Sequence, residues 1–253
     1  MKKFNFYFDG KKVSASEGDS IAAALLDSGK YISGERVNGK KRGLYCGMGV
    51  CNECLVTVNG ERGVRSCMQL AEPNSIVQRE IDTKWTETDR KIEYPTRSNY
   101  KADIIIVGAG PAGLNAAIEA TKFGAKVVVV DEREQSGGQY YKPRTIGFRG
   151  RTKEDWQHRE GVELRERACK SKVKFYSGQT VWYARKENGV FELRCSSKEH
   201  QVQLLASALI LCTGAFEIPA VVPGWTLPGL TTIGAAQTMV RRYGVLPKGR
   251  VLI

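Results

Sequence analysis

The opening residues carry the two-residue period of a strand. Phe4, Phe6 and Phe8 recur in FNFYF, Asp9-Gly10 is a tight-turn pair, and KKVSA follows, which predicts a β-hairpin. The period then changes. Ser20 precedes IAAALLDSG, a helical stretch with Ser20 as its N-cap and Gly29 as its stop. Leu55 to Val58 predicts a short strand, Asn59-Gly60 a hairpin turn, and Val64 to Ser66 the returning strand. This strand, strand, helix, loop, strand, strand order ends near Glu80. From Asp82 to Lys101 the residues are polar, include Pro95 and show no period, as in a linker. Ala102 to Val107 (ADIIIV) is then almost continuously apolar, the pattern of a central parallel strand covered on both faces. A helical segment, LNAAIEATKFG, leads to a second strand, Lys126 to Val130, which ends at Asp131. Ala208 to Leu211 is a further apolar strand, and Lys248 to Ile253 has the look of the start of another.

Composition narrows the class. A chain of 253 residues with 42% hydrophobic content can bury one large core or two modest ones. The basic start, MKKFNFYFDG, lacks the apolar region of a signal peptide, and no segment has the length of a membrane span. The expectation is a cytoplasmic protein, able to lie peripherally at the inner face of a membrane. The formal charge is +12. Much of the excess lies between Lys142 and Lys174, but Glu154, Asp155, Glu160, Glu163 and Glu166 dilute it to the mixture of a solvated helix face. Without a nucleic-acid motif, no nucleic-acid partner is expected.

Seven cysteines and no export signal suit thiols in a reducing compartment. Four of them, Cys46, Cys51, Cys54 and Cys67, lie in LYCGMGVCNECLVTVNGERGVRSC. The first three have the x4, x2 spacing of a plant-type [2Fe–2S] loop, and the Asn59-Gly60 hairpin returns Cys67 to it. Gly47 and Gly49 let backbone N–H groups curl around an inorganic core. A structural zinc site also takes four thiolates, usually as two Cys-x2-Cys pairs, whereas only Cys51 and Cys54 form such a pair here. Disulfides are the third alternative. Cys169, Cys195 and Cys212 read as ordinary core or surface thiols.

The second motif is Gly108-Ala109-Gly110-Pro111-Ala112-Gly113, set between strand and helix. Gly108 allows the tight turn, Gly110 the approach of a pyrophosphate, and Gly113 close helix–strand packing. The helix N-terminus favours phosphate, and Asp131 is placed to accept from an adenosine ribose. An acid rather than an Arg there prefers FAD or NAD over NADP. A ligand-free glycine turn is the bland alternative.

Two further segments, Gly137-Gly138-Gln139 and Cys212-Thr213-Gly214, complete a pattern that resembles the two-dinucleotide, glutathione-reductase-like flavoproteins over Ala102 to about Pro223. The resemblance implies an FAD domain using Gly108, Gly110, Pro111, Ala112, Gly113, Asp131, Glu132, Gly138, Gln139, Thr213 and Gly214. Cys212 replaces the usual alanine of the last turn. NAD remains an alternative at this site or at a further nucleotide site. Disulfide reductases carry a cysteine pair just after Gly-Gly, but Gln139-Tyr140-Tyr141-Lys142-Pro143 has none, so a thiol relay here is excluded.

EGDSIAAALLDSG, the cysteine segment and PGLTTIGAAQTMVRRYGVLPKGRVLI together are similar to the α subunits of heteromeric amine dehydrogenases and oxidases: the sarcosine oxidase, opine oxidase, proline or hydroxyproline dehydrogenase and hydrogen cyanide synthase group. That likeness implies a redox subunit with FAD and [2Fe–2S]. Its partners would be a D-amino-acid-oxidase-like β subunit that oxidises the amine, a further small subunit in some assemblies, and a downstream electron acceptor. Retention of all four cysteines points to delivery of electrons to a chain rather than to oxygen. The expected fold is α/β. A small ferredoxin-like, β-grasp-type [2Fe–2S] domain occupies 1–82 and a linker 83–101. A Rossmann-type FAD domain, incomplete at its C-terminus, occupies 102–247, and 248–253 begins a truncated second nucleotide-binding domain. Neither His158 nor His200 reads as more than a surface residue, so no catalytic residue is named. Two other functions compete: an NAD(P)H-dependent flavin and iron–sulfur reductase, and a non-redox scaffold holding zinc.

Overall fold

A computed structural model describes residues 3–81, 96–148, 150, 155–197, 200–218, 220–248 and 251. The chain forms two compact units. One comprises Met1–Glu87, Arg144–Thr152 and Phe216–Ile253, the other Thr88–Pro143 and Lys153–Ala215.

The first unit opens with β1 (Lys3–Phe8) and β2 (Lys11–Ser16), paired antiparallel with Phe8 opposite Lys11. Asp9 and Gly10 both take positive φ, 48° and 72°, which matches the twist of a two-residue hairpin. Alternation decides what is buried: Phe6 and Phe8 point inward while Tyr7 is exposed. Helix α1 (Ile21–Asp27) starts at Ser20, whose hydroxyl accepts from the Ala23 N–H, and Gly29 follows its end at φ 72°. Two short strands follow, β3 (Gly34–Glu35) and β4 (Lys41–Arg42). Next come β5 (Leu55–Val58), β6 (Glu61–Arg65) and β7 (Ile76–Ile81). The sheet runs β2-β1-β7-β3-β4, with β5 joining both β6 and β7. Phe6, Phe8, Val13, Ile21, Leu25, Val56 and Val77 form the core between this sheet and α1.

The second unit begins at β8 (Thr96–Lys101), which corrects the linker expected over 83–101 at those six residues; the remainder of the linker lies outside the described residues. β8 pairs in parallel with a strand a hundred residues later, and its side chains, mostly exposed, carry no period to betray it. The order is then β9 (Ile104–Val107), α2 (Pro111–Lys122), β10 (Val127–Val130), α3 (Trp156–Lys170) and β11 (Lys174–Tyr176). A meander of β12 (Thr180–Glu187), β13 (Val190–Ser196) and β14 (His200–Ala206) precedes β15 (Ala208–Leu211). The parallel sheet is ordered β11-β10-β9-β15, and the second sheet β12-β13-β14-β8. Both faces of the parallel sheet are covered, which is why β10 is VVVV. Val127 and Val129 pack with Leu114, Ile118 and Leu164 of the helices, whereas Val128 and Val130 pack with Leu193, Cys195 and Leu204 of the meander.

Three more expectations change. Phe216 onward groups with the first unit rather than with the nucleotide unit, so the 102–247 boundary does not hold as one compact body. His158 is buried on α3 in line with Gly161, Leu164 and Ala168, with Nδ1 2.7 Å from Asp155 Oδ1. His200 is exposed, as expected. Lys248 and Val251 lie in no strand, and the other residues of that segment are outside those described.

Candidate functional site: a thiol pocket and a glycine turn

In the first unit the four cysteines converge as two pairs. Cys46 lies beside Cys51, and Cys54 beside Cys67, closely enough for each pair of thiols to interact. The neighbouring sulfur draws Cys46 and Cys54 down and pushes Cys51 and Cys67 up, as expected where two thiols share one proton. All four are free of disulfides.

The pairing follows from local chain geometry. β5 carries the chain away from Cys54, and Asn59 and Gly60 turn it at φ 48° and 84°. β6 then returns it, with a register irregularity between Val56 and Val58. Ser66 closes the loop: its N–H and its hydroxyl both donate to the Cys54 carbonyl, at 3.1 and 2.7 Å, which sets Cys67 beside Cys54. The returning strand was expected over Val64 to Ser66; it spans Glu61–Arg65 because Ser66 turns aside to make these bonds. Gly47 (φ 63°) and Gly49 (φ 79°) bend the loop so that N–H groups face sulfur. The Met48 N–H donates to Cys46 and the Glu53 N–H to Cys51, both at 3.5 Å, and the Gly49 N–H reaches Cys67. Glu53, buried between Cys51 and Cys54 in the chain, is held by Arg42 at 2.8 Å and Arg36 at 3.6 Å.

The donor set fits a two-iron cluster. Such a cluster takes two thiolates on each iron, hence two pairs, with N–H groups aimed at sulfur.

Residues beyond Phe216, which spacing alone did not assign to this site, cover the loop. Trp225 packs on Tyr45 at 5.1 Å between ring centroids, in an apolar group with Cys46, Met48 and Cys51. A short helix, Ile233–Thr238, lies against Gly47, where a Cβ would come within 3.0 Å of Ala235. The Thr232 N–H donates to the Tyr45 carbonyl, the Thr232 hydroxyl to Glu217 at 2.6 Å, and Glu217 also accepts from the Gly234 N–H.

In the second unit the C-terminal ends of β9, β10 and β15 meet at the glycine turn. Gly108 (φ 104°) donates to the Val130 carbonyl, and a Cβ on it would strike the Cys212 carbonyl. A Cβ on Gly113 would strike the Gly108 carbonyl. Gly138 (φ 63°) crosses the turn so closely that its Cβ would lie 2.9 Å from Gly110 Cα, and the Gly137 N–H donates to the Ala109 carbonyl at 2.8 Å. No side chain caps α2; Gly110 is its N-cap, Pro111 needs no N–H donor, and Ala112 and Gly113 carry the first helical N–H groups. Cys212 donates its N–H to the Val107 carbonyl, and Thr213 and Gly214 lie exposed beside the turn. The turn packs so closely that a Cβ at Gly108, Gly113 or Gly138 would collide with its own backbone, so only glycine fits at these three positions.

Asp131 turns inward. Its Oδ2 accepts from the Ala109 N–H at 2.6 Å and its Oδ1 from the Arg133 N–H at 2.8 Å. The next residue, Glu132, is exposed and has no partner among the described residues.

A ferredoxin-type thiol pocket and a Rossmann-type dinucleotide turn thus occur in one chain, the pairing of domains found in flavin- and iron–sulfur-linked proteins. The model of a 2Fe-2S iron-sulfur cluster binding domain matches residues 1–81, and that of pyridine nucleotide-disulphide oxidoreductase matches residues 102–243. The chain belongs to the pyridine nucleotide-disulphide oxidoreductase family, with the cluster-binding domain preceding it. Its relatives are those indicated by the motifs. It is 37% identical over 174 residues to an opine oxidase subunit from Agrobacterium tumefaciens (strain Ach5), covering 66% of this chain and 34% of that protein. It is 27% identical over 267 residues to the alpha subunit of sarcosine oxidase from Corynebacterium sp. (strain P-1), covering 97% and 27%. The crystal structure of L-proline dehydrogenase from P. horikoshii superposes with a TM-score of 0.80 at 24% identity, over 97% of this chain and 48% of that one, a likeness of fold. The chain spans about a third of the length of the curated relatives it matches. No described helix is long and apolar enough to cross a membrane.

Proposed function

We propose that the chain carries the cluster and part of the flavin site of a redox subunit in a heteromeric amine or imino-acid dehydrogenase or oxidase of the sarcosine, opine, proline or hydroxyproline type. The observation that carries this reading is that one chain holds thiols in two pairs together with a dinucleotide turn lacking any redox cysteine after Gly137-Gly138. When bound, the flavin and the cluster supply two-electron and one-electron chemistry respectively. The residues bind and position them. Cys46, Cys51, Cys54 and Cys67 would hold the cluster as two thiolate pairs, and the N–H groups of Met48, Gly49 and Glu53 would stabilise charge on the sulfurs.

In the flavin site Ala112 and Gly113 offer N–H groups to the pyrophosphate, and Gly108, Gly110, Pro111 and Gly138 keep its path clear. Glu132 is assigned to the ribose hydroxyls, and Asp131 to holding the turn. Gln139, Thr213 and Gly214 border the ligand. Amine oxidation is assigned to a D-amino-acid-oxidase-like partner, with electrons passed to a downstream acceptor in the cytoplasm or at the inner membrane face.

Iron, inorganic sulfide and flavin analysis of the purified protein tests the cofactor assignment; zinc without sulfide would end it. Anaerobic NADH addition separates the reductase alternative, because bleaching of the flavin by NADH alone would favour that reading. Co-purification with gene neighbours tests the partner: recovery of an amine-oxidising flavoprotein is expected, and a monomer fully reduced by NADH would overturn the proposal.

A further inference from the structure

We propose that the Cys51 edge of the cluster loop is the port for one-electron exchange with an acidic carrier protein, and that Arg65 steers that partner. The inference rests on the cluster reading above. Three of the four ligand cysteines are sealed: Cys46, Cys54 and Cys67 are 1%, 2% and 5% exposed. Cys51 alone is half-buried. It lies between Val50, 47% exposed, and exposed Asn52, whose φ of 56° turns the backbone outward. Electron transfer weakens steeply with distance, so a partner reaching the sulfur nearest the surface has the shortest path.

Charge at this edge is unbalanced. Glu53 is matched by Arg42 at 2.8 Å. The exposed Arg65 donates from Nη1 to the Gly49 carbonyl at 2.8 Å and has no carboxylate partner among the described residues. An apolar tip beside an uncompensated guanidinium suits a transient complex, in which charge speeds encounter and a small apolar contact brings the centres close. The fitting partner is a one-electron carrier with carboxylates around its redox centre. With the cluster bound, its reduced form would supply one electron, Cys51 would offer the sulfur nearest the surface, and the partner's centre would gain that electron. No bond or proton moves.

The test uses protein whose iron and sulfide content has first been measured, so that absence of sulfide sinks the cluster reading separately. The dithionite-reduced protein is mixed by stopped flow with ferricyanide, an anion, or tris(phenanthroline)cobalt(III), a cation. Raising ionic strength should slow the first reaction and speed the second. Arg65→Glu should lower the ferricyanide rate about tenfold at low ionic strength. Lys11→Glu on β2, with the same change in net charge, should have little effect. Calorimetric binding of an oxidised flavodoxin, chosen as an acidic carrier, should weaken at least tenfold with Arg65→Glu. If Arg65→Glu loses the cluster, Val50→Asp at the exposed tip carries the same test. Equal losses with Lys11→Glu, or no flavodoxin binding at low salt, would overturn the proposal.

Discussion

The proposed roles of the adjacent acids Asp131 and Glu132, turn clamp and ribose acceptor, can be separated by substitution. Asp131 accepts two backbone N–H groups, at 2.6 and 2.8 Å, and one of them belongs to Ala109 inside the phosphate turn. Asp131→Asn keeps the shape but replaces one carboxylate oxygen with an amide NH2, so one N–H loses its acceptor and faces another donor. Bonds to a charged acceptor contribute about 1.5–3 kcal/mol each, and for a half-buried group the net cost is about 2 kcal/mol. In a unit of this size that lowers Tm by about 6 °C, read by circular dichroism with no flavin present. Glu132→Gln touches no described partner, so the flavin-free Tm should stay unchanged. Its effect should appear in flavin affinity, weakened about tenfold by loss of charge-assisted bonds to the ribose. If Asp131→Asn left the flavin-free protein as stable as wild type and weakened only flavin binding, the turn-clamp role would fail.

The remaining predictions use the second unit. Leu164→Ala removes a 5% exposed side chain packed between α3 and the parallel sheet and should cost about 2–5 kcal/mol, measured by urea unfolding; a loss below about 1 kcal/mol would mean the site collapses around the cavity. Glu192 is held ionised by Arg194 first, against some burial, and then by Arg185 and Gln203, which lowers its folded pKa below the ordinary value. Its contribution is therefore complete above the ordinary glutamate range and is lost as pH falls through that range and below it. Urea midpoints should drop less between neutral pH and acid in Glu192→Gln than in wild type, and parallel profiles would refute this. Burial raises the Cys195 thiol to about 11, whereas Cys169 is exposed. A maleimide should label Cys169 within minutes and Cys195 only on unfolding, as mass spectrometry of digests would reveal.

Local rules made much of the fold legible. Asp9-Gly10 and Asn59-Gly60 declared hairpins because few residue pairs accept positive φ twice, and both pairs do so. The return of Cys67 to the loop followed from the second hairpin, although neither the pairing of the four cysteines nor the Ser66 bonds that fix the return could be read from spacing. What stayed hidden depends on partners far along the chain. β8 exists because its backbone pairs with β14, from Thr96 opposite His200 to Lys101 opposite Leu205, and its own side chains carry no signal of that. The cover over the cluster loop is similar: the helix Ile233–Thr238 buries only Ala235 and Thr238, too little apolar surface to mark a core, and its place is set by the bond from Thr232 to Tyr45.

Asp131 illustrates the limit most sharply. An acid at the end of the second strand is the correct residue type for a ribose, yet spacing cannot tell which of two neighbouring acids turns inward. At the end of β10 the chain leaves the sheet, with the Asp131 N–H donating to the Tyr176 carbonyl. From there the short Asp131 side chain reaches the Ala109 N–H, and Glu132 on the following residue points to solvent. On the proposed reading, Asp131 is the clamp of the turn and Glu132 the carboxylate left for the ribose, two roles that the substitutions above separate.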